Sequence, residues 1–367
     1  MSNAKRTAAT ANLRLVCTLG LPSELLAPAI ADALQALIGF SNLGIQWLRT
    51  DGSLEKIWFD QKLSPLIVRE YTDHFIDTRE MACKGGIPCL SRISGARLLP
   101  DWGDAFYRTD YYEAIWRPLG FHIGIVGAVR TPFDALNRGL FSLYRMPGEL
   151  PFQQSDAERL TLALPYLAHA FSTGSEDPGT FTDTGEEGVL VVDRGGAIQM
   201  ATPCATDLLF YGSGANLAGC TLTPQHMAME LVRRIVCCLE ASPAALPPPV
   251  LYIDNAFGRF TFRAHWFGER QDLVGITARR EEPVLLRLVR ASRHLRLSPT
   301  QKHILVFAAL QQSNTDISRR MRIKPDTVKG HMAIILERLG IHDRNKIGDA
   351  VLRPSPAATT VAAAHRF

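Results

Sequence analysis

Residues 297–352 read LSPTQKHILVFAALQQSNTDISRRMRIKPDTVKGHMAIILERLGIHDRNKIGDAVL, and the rest of the chain is best understood outward from them. Ser298-Pro299-Thr300-Gln301 is a capping box: a serine N-cap, proline at the first helical position and glutamine three residues on. Ser313-Asn314-Thr315-Asp316 opens a second helix, with an acid near the positive end of its dipole. Pro325-Asp326 opens a third, and Asp343 can cap a fourth. Helical spacing predicts inward faces of Ile304, Leu305, Ala308 and Ala309, then Ile317 and Met321, then Val328, Met332, Ile335 and Leu339. Only Arg322-Ile323-Lys324 separates the second and third helices, the short join of a helix-turn-helix, whose second helix enters the major groove of DNA.

With Val328, Met332 and Ile335 turned inward, Thr327, Lys329, Gly330, Ala333, Glu337 and Arg338 face outward or flank that face. Lys329 is the evident groove residue. Lys324, Arg319, Arg320 and Arg322 are candidates for phosphate contacts, which give affinity without sequence information.

This stretch resembles the LuxR-type helix-turn-helix domain of bacterial transcription factors. The matching residues are Leu297-Ser298-Pro299, Ile304-Leu305, Ser313-Asn314, Ile317, Ile323, Thr327-Val328-Lys329, His331, Ile335, Leu339, Ile341 and Arg344. The resemblance implies an all-α four-helix domain that contacts double-stranded promoter DNA through Asn314, Lys324, Thr327, Lys329, Gly330, Ala333 and Arg338. It also implies a homodimer that works with RNA polymerase. Two departures stand out: Gln301 replaces the family's Glu, and Gln311 replaces a Gly, so the first helix is expected to end differently. Gly330 and Ala333 put almost no side chain into the groove, which keeps a second reading open, in which this face serves dimer or partner contacts.

Charge divides the chain in the same place. The net charge is +4, but residues 284–353 carry 14 Lys and Arg against 5 Asp and Glu, whereas residues 1–283 carry 25 against 31. A basic end on an acidic body suits a nucleic-acid reader joined to another function. Seven cysteines without a CxxC pair suggest a reducing cytoplasm rather than a disulfide framework, and give no zinc site. No apolar run is long enough for a membrane span.

Upstream, residues 1–12 read as a disordered tail. Helix, antiparallel strands and a closing helix follow over 13–172, an α+β pattern. The Tyr111-Tyr112 helix, the Pro118-Leu119-Gly120 step and Pro151-Phe152 resemble GAF-like sensor domains. Residues 173–187, rich in Gly, Thr, Asp and Pro, read as a linker. Residues 188–283 give strands and helices again, with Phe260, Phe262, Ala264 and Trp266 alternating against Arg259, Thr261, Arg263 and His265. The Val191-Val192-Asp193 strand and the Gly196 hairpin resemble a PAS domain. Residues 284–295 predict a connecting helix with Arg287, Arg290 and Arg293 on one face; it either pairs with a second subunit or covers the sensor. The DNA-binding domain occupies 296–353, and 354–367 reads as a second disordered tail.

No catalytic constellation is found: Lys84-Gly85-Gly86 is too short for a phosphate loop, and GxSxG and HExxH are missing. The reading is therefore non-enzymatic, with no cofactor or metal. An effector pocket would be sought at Trp47, Trp58, Tyr107, Tyr111, Trp116 and His122, although the same residues fit an ordinary aromatic core, the favoured reading.

Overall fold

The computed structural model describes residues 3–60, 65–75, 87–99, 103–131, 134–172, 180–214, 224–242, 247–267 and 271–352. The chain forms two compact units, Met1–Glu282 and Pro283–Phe367.

The first unit contains two antiparallel five-stranded sheets. The first sheet takes β1 (Asn42–Leu48), β2 (Leu54–Phe59), β3 (Ala96–Leu99), β4 (Ile123–Val129) and β5 (Gly139–Arg145) in the order β2-β1-β5-β4-β3. The second takes β6 (Phe181–Asp193), β7 (Ile198–Ala201), β8 (Val250–Asn255), β9 (Gly258–Phe267) and β10 (Leu273–Pro283) in the order β7-β6-β10-β9-β8. Relabelled by position, the two orders are the same. Flanking helices are α1 (Asn3–Cys17), α2 (Ser23–Leu37), α3 (Pro65–His74), the single turn α4 (Ile87–Leu90) and α5 (Gln154–Ser172), then α6 (Pro203–Gly212) and α7 (Pro224–Glu240). The expected α+β class holds.

Close approach fixes the helix-to-sheet packing at two glycines. A Cβ on Gly127 would lie 2.8 Å from Leu160, and one on Gly139 would lie 2.3 Å from the Phe171 ring, so α5 sits directly on β4 and β5. The second sheet's core follows the alternation in its sequence, with Phe260, Phe262, Ala264, Val274, Ile276 and Ala278 buried together with Leu208, Leu231 and Ile235.

Two expectations change. The tail expected over 1–12 is helical from Asn3, because Ala9, Leu13, Val16 and Cys17 form a buried stripe at helical spacing and α1 packs on α2 and α5. The linker expected over 173–187 is strand from Phe181 onward; Arg279 and Arg280 on β10 hold Glu187 and Glu186 at 3.1 and 3.3 Å across the sheet. Residues 173–179 of that linker and the 354–367 tail lie outside the described residues.

The second unit is all-α: α8 (Val284–Ser292), α9 (Pro299–Ala309), α10 (Asn314–Met321), α11 (Pro325–Leu339), a short turn at Arg344–Lys346 and α12 (Ile347–Leu352). In α8, Leu285, Leu286, Leu288, Val289 and Ser292 are buried, and the helix packs on α9 and α12. This explains why α9 buries five consecutive residues, Ile304 to Ala308, where the amphipathic reading expected one stripe.

Candidate nucleic-acid interface

The caps that the sequence suggested position the helices. Ser298 Oγ accepts from the Gln301 amide at 3.3 Å, and the Ser298 amide donates to Gln301 Oε1 at 2.8 Å, so the box closes with Gln in place of Glu. Ser313 Oγ accepts from the Asp316 amide at 3.2 Å. Gln311 itself takes the left-handed conformation, φ 61°, that its family counterpart Gly would adopt freely. Its Nε2 donates to Asn345 O at 3.3 Å, which ties the strained residue down. Arg322, φ 55°, ends α10 in the same way and turns the chain into α11, and Gly340, φ 65°, ends α11.

On α11, Val328, Met332 and Ile335 are buried, while Thr327, Lys329, Gly330, Ala333, Glu337 and Arg338 are exposed. Lys324, at the N-cap position of α11, is exposed too. Six of the seven residues expected at DNA therefore share one accessible helix or its entrance. Asn314 stands apart. It is half-buried, and its Oδ1 accepts from Arg344 Nη1 at 2.7 Å while Arg344 Nη2 donates to Gln312 O. Sequence reading missed this clamp, although Arg344 was among the matching residues. Of the phosphate candidates, Arg319 lies 3.4 Å from Asp316, and the Arg320 guanidinium lies 4.7 Å above the Phe307 ring. Exposed α11 also carries Ile334, which the sequence reading passed over.

The six residues proposed for an effector pocket do not share one site. Tyr107, Tyr111, Trp116 and His122 gather around Phe106 on one face of the first sheet. Tyr107 stacks on His122 at 4.8 Å, and the Tyr112 hydroxyl and His122 Nδ1 are 3.3 Å apart. Burial pushes the Tyr107 and Tyr111 hydroxyls above their ordinary range, so both remain neutral. Trp47 lies on the opposite face, stacked on Phe171 at 5.9 Å with its indole N–H donated to Ser23 at 2.8 Å. It lines a cavity of about 310 Å³ with Glu24, Lys56 and Arg138. Trp58 packs against the second sheet's core and lines another cavity, of about 290 Å³, with Phe40, Asp32 and Asp60. Trp47 and Trp58 share one face of the sheet, since Trp58 pairs with Ile45 and Trp47 lies two residues on, whereas Tyr107, Tyr111 and Trp116 sit on helical turns in the other cluster.

Among the described residues, no helix is long and apolar enough to cross a membrane, and no cluster of His, Cys, Asp or Glu is suited to a metal.

Residues 295–350 match the family described as bacterial regulatory proteins, luxR family. No curated protein matches the chain. Similar solved structures include a phage VqmA–DPO complex, 13% identical, covering 48% of this chain and 90% of that one at a TM-score of 0.21. A bacteriophytochrome from the photosynthetic bacterium R. palustris is 10% identical, covering 76% and 63% at 0.32. The Vibrio cholerae VqmA dimer is 14% identical, covering 46% and 83% at 0.16. With superpositions this loose, none of the three bears on function.

Proposed function

We propose that this chain, whose residues 295–350 are a LuxR-family helix-turn-helix domain, is a sequence-specific transcription regulator in which the two-sheet unit controls DNA binding. The observation that carries the reading is α11, which turns Val328, Met332 and Ile335 inward and presents Thr327, Lys329 and Arg338 outward, with Lys324 at its entrance. In this reading Lys329 and Thr327 enter the major groove and Lys324 meets phosphate. The protein acts in the cytoplasm as a dimer on paired half-sites. RNA polymerase is its transcriptional partner, a small molecule bound by the sheet unit is its effector, and it catalyses no reaction. Lys329→Ala tests the reading on promoter DNA: affinity and its salt slope both change. Unchanged affinity and slope would remove α11 from the groove.

Gly330 and Ala333 favour a second reading, in which this face binds a protein partner. Salt-dependent binding of duplex DNA by the full chain counts against it.

A further inference from the structure

Two residues on the exposed side of α11 lower its intrinsic helix propensity. Gly330 sits in the helix interior without the positive φ that would demand glycine, and a Cβ there would meet nothing within 4 Å. An exposed interior glycine destabilises a helix relative to alanine. One turn on, Ile334 is 40% exposed, a β-branched apolar side chain facing water. Positions i and i+4 lie on one face of a helix, so the two are neighbours, and exposed Ala333 lies between them in sequence. The middle turn of α11 thus offers a bulky apolar group beside a gap. Thr327 and Lys329 stand before it, half-buried His331 beside it, and Glu337 and Arg338 after it.

In the major groove the one apolar group on a base edge is the thymine C5-methyl. We propose that Ile334 reads thymine through that methyl, with Gly330 and Ala333 clearing the approach so that the helix backbone comes near the bases. The proposal rests on the DNA-binding reading above. It adds a base preference carried by apolar contact, where Lys329 and Arg338 would read guanine or phosphate.

The test uses the full 367-residue chain. Duplexes are selected from a randomised pool, and the selected site is resynthesised with deoxyuridine in place of each thymidine in turn. This exchange removes the methyl and leaves the base-pairing edge intact. At one or more positions in each half-site the wild-type chain should bind the deoxyuridine duplex about fourfold more weakly, the ratio expected for burying one methylene-sized group. Ile334→Ala should bind both duplexes alike at that position, with an unchanged salt slope, and Ile334→Val should retain the discrimination. The residue is surface-exposed, so neither substitution disturbs the core. The assignment is overturned if every deoxyuridine duplex binds as tightly as its parent, or if Ile334→Ala keeps full methyl sensitivity. A selected site that is salt-sensitive but indifferent to methyls sinks only this assignment; a pool that yields no bound duplex sinks the DNA-binding reading with it.

Discussion

Replacing Arg344 with methionine separates a structural role for Asn314 from a role at DNA. Arg344 Nη1 donates to Asn314 Oδ1 at 2.7 Å, and Nη2 donates to Gln312 O, so one guanidinium joins the turn at Arg344–Lys346 to the start of α10. Hydrogen bonds to a charged group contribute about 1.5–3 kcal/mol each when well shielded. Both partners here are half-buried, so losing the pair should cost about 2 kcal/mol rather than the full sum. Tryptophan fluorescence cannot report on this unit, since all five tryptophans precede residue 283. Amide hydrogen exchange on the full chain can. A loss of about 2 kcal/mol accelerates exchange in α10 roughly 30-fold, at 1.4 kcal/mol per tenfold. Asn314→Ala should accelerate the same amides, and combining it with Arg344→Met should add less than the sum of the single effects, with a coupling of about 1 kcal/mol. Additive effects, or unchanged exchange in Arg344→Met, would refute the clamp. If Asn314→Ala lost DNA affinity with α10 exchange unaltered, Asn314 would be a groove contact after all.

Three further outcomes follow from the same coordinates. Gly330→Ala should stabilise α11 by about 1 kcal/mol, because the new methyl meets open space in the free protein; amide exchange over 325–339 should slow, and faster exchange would contradict the described helix. Ser298→Ala removes the acceptor for the Gln301 amide and should destabilise α9 by about 1 kcal/mol in the same assay. Burial pushes the Cys17 thiol far above its ordinary range, whereas Cys237 and Cys238 are exposed. Since the reactive form is the thiolate, an alkylating reagent should modify the accessible Cys237 and Cys238 and leave Cys17 unmodified until the chain unfolds. Mass mapping of the alkylated peptides decides it, and native labelling of Cys17 would mean that α1 is not docked.

The helix-turn-helix unit was legible because its boundaries are local. Ser298 and Ser313 act within three residues of themselves, and a cap can be read without knowing the fold. Strand β9 was legible because alternation is local as well. What escaped reading depends on distant partners. Residues 181–187 are polar and contain Gly185 at φ 79°, yet they extend β6 because Arg279 and Arg280 meet Glu187 and Glu186 from a strand about ninety residues away. β3, only Ala96–Leu99, owes its strand character to pairing with β4. The Asn314–Arg344 contact spans thirty residues, so its two ends read as separate surface groups. The aromatic set failed as one pocket for a different reason: Trp47 and Trp58 lie on strands, while Tyr107, Tyr111 and Trp116 lie on helical turns whose docking on the sheet is set by tertiary contacts.

The central claim, that the exposed face of α11 binds duplex DNA, is tested most directly by a salt titration of the full chain against a fluorescent promoter duplex, followed by anisotropy. The logarithm of the affinity should fall linearly with the logarithm of salt concentration, and Lys324→Ala should reduce that slope by about one as a phosphate contact is lost. Binding that is absent at low salt, or affinity that does not respond to salt, would contradict the account.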